Sequence, residues 1–240
     1  MKIFIAKDYE ELSTIAYGYI KDIVKSNPRA VLGLATGSTP LGIYRLMAED
    51  CAQKISYKEI RTVNLDEYVG LSATHDQSYR YFMQTNLFNK IDIPLQNTFV
   101  PDGTGDPVAE CRRYDALLDT LPRDIQLLGI GTNGHIAFNE PGTPFESRTH
   151  TVTLNQSTID ANARFFQSIN EVPRRAITMG IKDIMAAKRL LLVATGTNKA
   201  DAIAKALKGK SDPSCPASVL QQHNDVVIVL DQGAASKLVF

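Results

Sequence analysis

Short apolar runs alternate with stretches whose apolar residues recur every three or four positions, along the whole 240-residue chain. The runs Lys2–Ala6, Ala30–Ala35, Arg61–Leu65, Asn97–Val100, Ile125–Ile130, His150–Leu154, Pro173–Met179, Lys188–Thr195 and Val226–Leu230 predict strands. The stretches between them predict helices. Asp8 caps the first, which lays Leu12, Ile15, Ala16, Tyr19, Ile20 and Ile23 on one face and stops at Asn27-Pro28. Others are expected from Pro40, over 78–89, 106–121 and 157–169, and from Ala200. The aromatics Tyr79, Tyr81, Phe82 and Phe88 read as a core-facing stripe. No composition break, linker or repeat divides the chain. The pattern predicts one α/β domain over 1–240: a single doubly wound, mostly parallel sheet with helices on both faces. Residues 142–172 are the expected exception, a small lid.

Open α/β sheets place their chemistry at the carboxyl ends of strands. The run Ile125–Ile130 ends in Gly129-x-Gly131-x-x-Gly134, followed by His135, Asn139, Glu140 and a Pro-Gly break. A dinucleotide fingerprint would open a helix and carry an acid about 20 positions on. Here Pro141-Gly142-Thr143-Pro144 stops any helix, and Thr153 to Gln156 hold no acid. A tight structural turn explains the glycines but not the polar residues beside them. A catalytic loop, with His135 tuned by a nearby carboxylate, explains both.

Three further strand ends carry candidates. Thr36-Gly37-Ser38-Thr39 precedes Pro40, with Thr39 expected as helix cap and Pro40 as first helical residue. That turn reads equally as an anion cradle or as a plain capped turn. It lacks the Gly-Lys-Ser/Thr ending of a nucleoside triphosphate loop. Asp66-Glu67 follows Arg61–Leu65, either as an acid–base pair or as exposed turn acids. Lys199, at the start of the helix after Lys188–Thr195, opposes the helix dipole and is better explained by an anion to meet.

Composition narrows the class. With 44% hydrophobic residues the chain is globular rather than disordered. Lys+Arg and Asp+Glu number 26 each, which argues against a nucleic-acid-binding surface but leaves room for a local anion site. Cys51, Cys111 and Cys215 are too few and too scattered for a disulfide framework or a metal site. No run approaches the ~18 apolar residues of a membrane span. The opening MKIFIAKDYEEL is too short in apolar residues for a signal peptide. A cytoplasmic protein without membrane or nucleic-acid partners is expected.

Five motifs in order, LGLATGSTPLGIY, NLDEYVGL, GIGTNGHIAFNEPGTPFESRTH, ANARFF and ATGTNKA, resemble the glucosamine-6-phosphate deaminase family over essentially the whole chain. The resemblance implies a Rossmann-like, ribose-phosphate-isomerase-like fold and a small-molecule sugar phosphate substrate. It implies conversion of glucosamine 6-phosphate and water to fructose 6-phosphate and ammonia, in amino-sugar catabolism, with no metal or organic cofactor. It makes Asp66 the base at substrate C2, with Glu67 assisting, and His135 the ring-opening acid–base, oriented by Glu140. The phosphate would rest on Thr36-Gly37-Ser38-Thr39, clamped by Arg164 and Lys199.

Two departures from the family pattern matter. Asn133 stands where many relatives carry Asp, so a hydrogen-bonding role is expected of it rather than a charge. Allosteric, hexameric relatives place basic residues after Ser-Arg-Thr, where this chain has His150 and Val152, and they continue past the position of Phe240. A non-allosteric monomer is expected, with a homo-oligomer as the alternative. The rival readings are a 6-phosphogluconolactonase, a deaminase of the galactosamine epimer, and a sugar-phosphate sensor. The sensor lacks any visible helix-turn-helix.

Overall fold

The computed structural model describes residues 1–156, 159–160, 166 and 168–238. Seven strands form the main sheet: β1 (Lys2–Ala6), β2 (Val31–Leu34), β3 (Arg61–Asn64), β5 (Thr98–Phe99), β6 (Ile125–Leu128), β9 (Leu190–Ala194) and β10 (Val226–Asp231). Their order is β1-β10-β9-β6-β2-β3-β5, and every pairing is parallel. Helices α1 (Tyr9–Ser26), α2 (Leu41–Gln53), α3 (Tyr79–Asn86), α4 (Pro107–Thr120), α5 (Ile181–Met185), α6 (Ala200–Lys208) and α7 (Gln232–Ala235) surround it. Every residue of β2, β6 and β9 is buried, which is why they read as unbroken apolar runs rather than alternating ones. Such side chains are worth about 1.5–3 kcal/mol each when buried. The one polar residue among them, Gln126, lies over Gly33, where a Cβ would sit 2.1 Å from its amide oxygen. Strand order reverses between β2 and β6. That switch point opens a crevice at the sheet's carboxyl edge.

Beside this sheet lies a three-stranded antiparallel one, in the order β4-β8-β7: β4 (Asp66–Tyr68), β7 (His150–Thr153) and β8 (Arg175–Thr178). Asp66-Glu67-Tyr68 is therefore not the tail of the preceding strand. It leaves the main sheet after Leu65 and pairs with Thr178, Ile177 and Ala176. A small cluster of Tyr68, Phe138, Leu154, Ile159, Val172 and Ala176 packs on this second sheet.

Some expectations shift. Pro40, not Thr39, occupies the cap position of α2, and no side chain of the turn caps the helix. The N–H of Gly42 instead donates to the hydroxyl of Tyr9, at 2.8 Å. Helix α3 ends at Asn86, earlier than the pattern suggests, and Tyr81 on it is 39% exposed rather than core-facing. The helix expected over 157–169 falls largely outside the described residues. Among the described residues no helix is long and apolar enough to cross a membrane.

Candidate active site

A cleft of about 720 Å³ opens at the carboxyl ends of the central strands. That volume suits a sugar phosphate. It is lined by Thr36, Gly37, Ser38, Thr39, Asp66, Asn133, His135 and Lys199, so the structure gathers eight of the residues singled out in the sequence. Glu140 lies one layer behind, through its contacts with Asn133 and His135. Arg164 lies outside the described residues.

The loop after β6 is folded tightly around its histidine. The Gly131 N–H donates to the His135 carbonyl at 2.9 Å. The imidazole lies against Gly131, where a Cβ would come within 2.2–2.5 Å of three ring atoms. Gly134 has φ 89° and Ala137 has φ 51°, a conformation that costs a non-glycine residue strain. The loop is held against the end of β8: the Phe138 N–H donates to the Thr178 hydroxyl at 3.1 Å, and the buried amide of Asn139 donates to the carbonyls of Ile136 and Met179 at 3.0 and 2.9 Å. Nδ1 of His135 lies 3.6 Å from Oε1 of Glu140, longer than a hydrogen bond. Asn133 connects the two residues. Its amide donates to Oε2 of Glu140 at 2.7 Å, and its oxygen accepts the His135 backbone N–H at 3.2 Å.

Asp66 is only 7% exposed. Burial, with the charge of Glu67 added to it, pushes its carboxyl up to about 8. Its neighbour alternates to the other side of the short strand. Glu67 accepts the N–H groups of Tyr68, Tyr79 and Arg80 at 2.8, 2.9 and 3.0 Å, anchoring the start of α3. Burial raises its carboxyl to about 7 against the pull of those three bonds. Glu67 faces a second, smaller cavity and is not among the residues lining the cleft.

The anion-binding candidates are uncommitted. Among the described residues no hydrogen bond engages the hydroxyls of Thr36, Ser38 or Thr39, and Lys199 has no ion pair. Burial lowers the Lys199 ammonium from its usual range, as expected of a cation partly withdrawn from water with no counter-charge.

The sequence reading missed several residues of the cleft wall: Tyr79, Phe138, Asp160, Thr195 and Asn198. Tyr79 and Phe138 stack with ring centroids 6.1 Å apart. Phe138 lies inside the glycine-rich motif, a signal that could have found it. Tyr79 was indistinguishable from the helical stripe around it.

Comparisons with known proteins show the family. The profile of the family described as glucosamine-6-phosphate isomerases/6-phosphogluconolactonase matches residues 9–229. A glucosamine-6-phosphate deaminase of Clostridium novyi (strain NT) is 54% identical over 241 residues, covering 99% of this chain and 100% of that protein. Glucosamine-6-phosphate deaminase 1 of Bacillus subtilis (strain 168) is 51% identical over 239 residues, covering 98% and 99%. A solved structure of a monomeric glucosamine-6-phosphate deaminase superposes with a TM-score of 0.97 at 50% identity, covering 99% of this chain and 100% of that one. A 6-phosphogluconolactonase from Leishmania guyanensis reaches a TM-score of 0.82 at 20% identity, covering 100% and 99%, a likeness of fold alone.

Proposed function

The chain belongs to the glucosamine-6-phosphate isomerase/6-phosphogluconolactonase family, and within it we propose the activity of a glucosamine-6-phosphate deaminase. Glucosamine 6-phosphate and water give fructose 6-phosphate and ammonia. One observation carries this assignment beyond the fold: a single cleft holds a carboxyl raised to about 8, a histidine linked to a second acid through Asn133, and a lysine that has no ion pair among the described residues, beside a turn whose hydroxyls have no partner among them.

Each group has a task. His135 takes a proton from the anomeric hydroxyl and gives one to the ring oxygen, which opens the sugar. Glu140 stabilises the imidazolium that forms on the way, and Asn133 holds both in place. Asp66 then removes the proton from C2 and returns it at C1 while a proton of the ammonium group passes to O1, which leaves an iminium at C2. The amino group at C2 leaves as ammonia once water adds there. The phosphate rests on Thr36–Thr39 and Lys199. Charge-assisted bonds of about 1.5–3 kcal/mol each fix C2 against the base. Arg164 enters this account by resemblance alone. Glu67 acts on the site through α3, as its bonds to Tyr79 and Arg80 indicate.

The enzyme acts as a non-allosteric monomer in the cytoplasm. The three free thiols, Cys51, Cys111 and Cys215, favour a reducing compartment. The segment 142–172 is our candidate lid; its residues 157–158, 161–165 and 167 lie outside the described residues. Its first residues touch the rest of the domain: the Gly142 N–H donates to the Pro213 carbonyl at 2.8 Å, and the Ser147 carbonyl accepts from Lys182 at 3.0 Å. Substrate-dependent protection from hydrogen exchange within 142–172 is expected; identical exchange with and without substrate would reject the lid.

The deciding assay follows ammonia and fructose 6-phosphate from glucosamine 6-phosphate. Equimolar products, lost in Asp66→Asn and weak with galactosamine 6-phosphate, are expected. Hydrolysis of 6-phosphogluconolactone without ammonia release from the amino sugar would overturn the assignment.

A further inference from the structure

The turn Thr36–Thr39 is held from outside by two tyrosines, neither of which reacts. At its entry, the buried Tyr44 hydroxyl accepts the Ala35 N–H at 3.2 Å and donates to the Ala35 carbonyl. At its exit stands Tyr9, the first residue of α1. Its hydroxyl accepts the N–H of Gly42 at 2.8 Å. Its own proton serves the carbonyl of Thr39 at 2.9 Å or of Ser38 at 3.1 Å.

Tyr9 is itself fixed in place. Its carbonyl accepts from the Ser13 hydroxyl at 2.7 Å. Gly42 admits the close approach of the two helices, since a Cβ there would lie 2.2 Å from the Ser13 hydroxyl oxygen and 3.1 Å from the Tyr9 ring. The Arg45–Glu10 ion pair ties the same two helices one turn further on.

The bond to Gly42 has a chemical consequence. An exposed helix N-terminus needs a cap, and the nearest candidates are the Ser38 and Thr39 hydroxyls. A hydroxyl oxygen accepting the Gly42 N–H would be turned back onto the protein. With Tyr9 in that role, α2 has no side-chain cap from the turn, and the turn's hydroxyls have no partner among the described residues.

We propose that Tyr9 is a positioning residue for phosphate recognition: it takes over the capping of α2 so that Ser38 and Thr39 face the substrate's phosphate. This rests on the reading of Thr36–Thr39 and Lys199 as the phosphate site. Without the phenol, the turn caps its own helix and phosphate binding competes with that cap.

The test is Tyr9→Phe, a change of one oxygen atom. KM for glucosamine 6-phosphate should rise about five- to tenfold, the equivalent of one hydrogen bond of about 1 kcal/mol or slightly more. The inhibition constant of inorganic phosphate should rise by the same factor. The value of kcat should stay within about twofold, and the pH dependence of kcat should not move. A lower melting temperature with both phosphate-dependent constants unchanged would reduce Tyr9 to a structural role and overturn the proposal. A fall in kcat at unchanged KM would overturn it as well. Lys199→Ala separates the two levels. If it weakens phosphate inhibition while Tyr9→Phe does not, only the Tyr9 proposal fails. If Lys199→Ala also leaves phosphate inhibition unchanged, the phosphate reading fails and takes the proposal with it.

Discussion

A carboxyl that takes a proton from carbon must be ionised when the substrate arrives, and burial pushes Asp66 up to about 8. The substrate brings a cation with it, the protonated 2-amino group, which favours the ionised form. The acid limb of kcat/KM, which reports the free enzyme, should therefore fall near pH 8, and the limb of kcat at lower pH. Coincident limbs in the two profiles would reject this coupling. The same burial destabilises the fold. Between the ordinary carboxylate range and about pH 8, the folded chain holds a proton on Asp66 that the unfolded chain has released. Stability consequently falls as pH rises through that window, by at most about 1.4 kcal/mol per unit. Asp66→Asn should lower kcat by about 10³-fold or more, yet raise the melting temperature, with a larger gain at pH 8 than at pH 5. Thermal melts at the two pH values check the sign. Asn133 acts by geometry instead. Asn133→Ala removes the donor to Glu140 and the acceptor of the His135 N–H together. It should lower kcat about tenfold with little change in KM, the loss of one or two positioning bonds. Wild-type kinetics across pH would refute that role.

At the scale of elements, the loop after β6 shows how backbone chemistry sets side-chain position. Gly131 is open because the imidazole of His135 occupies the space of its missing Cβ. Gly131→Ala should displace the ring by an ångström or more, lowering kcat about 10²-fold, as misplacement of a reacting group does. The melting temperature should change little, because the three atoms nearest that Cβ all belong to the His135 ring. Full activity in the alanine variant would refute the placement of His135. This loop was legible because glycines, histidine and carboxylate lie within a dozen residues of one another. The parallel strands were legible because burial on both faces leaves continuous apolar runs. What escaped depends on distant partners. Asp66–Tyr68 is too short to show its period, and its partner strand lies more than 100 residues on. Thr39 and Pro40 look like a cap and a first turn, but the capping hydroxyl belongs to Tyr9, 33 residues before Gly42. Glu67 reads beside Asp66 as an assisting acid; two of the three N–H groups that it accepts, those of Tyr79 and Arg80, come from α3 and cannot be read from NLDEY.

At the scale of the molecule, the arginine of the segment that would carry an effector site is already engaged by acids of this chain. Arg148, in Ser147-Arg148-Thr149, is bound by Asp119 at 2.7 Å and by Asp183 at 3.0 Å, with Asp115 at 3.9 Å. Those carboxylates hold its guanidinium above its usual range and commit it to the body of the domain. Nδ1 of His150 lies 2.8 Å from the Arg148 carbonyl, and Val152 carries no charge. A phosphorylated effector docking on this edge would meet an arginine already saturated by acids, with no neighbouring Lys or Arg between His150 and Thr153. Cooperativity needs a second site whose ligand distinguishes two states. Initial rates should therefore be hyperbolic in glucosamine 6-phosphate, and N-acetylglucosamine 6-phosphate should leave the curve's shape unchanged. Light scattering at assay concentrations should give the mass of a single chain. A sigmoidal curve made hyperbolic by N-acetylglucosamine 6-phosphate, together with a multimeric mass, would show that the effector site is built from another part of the surface.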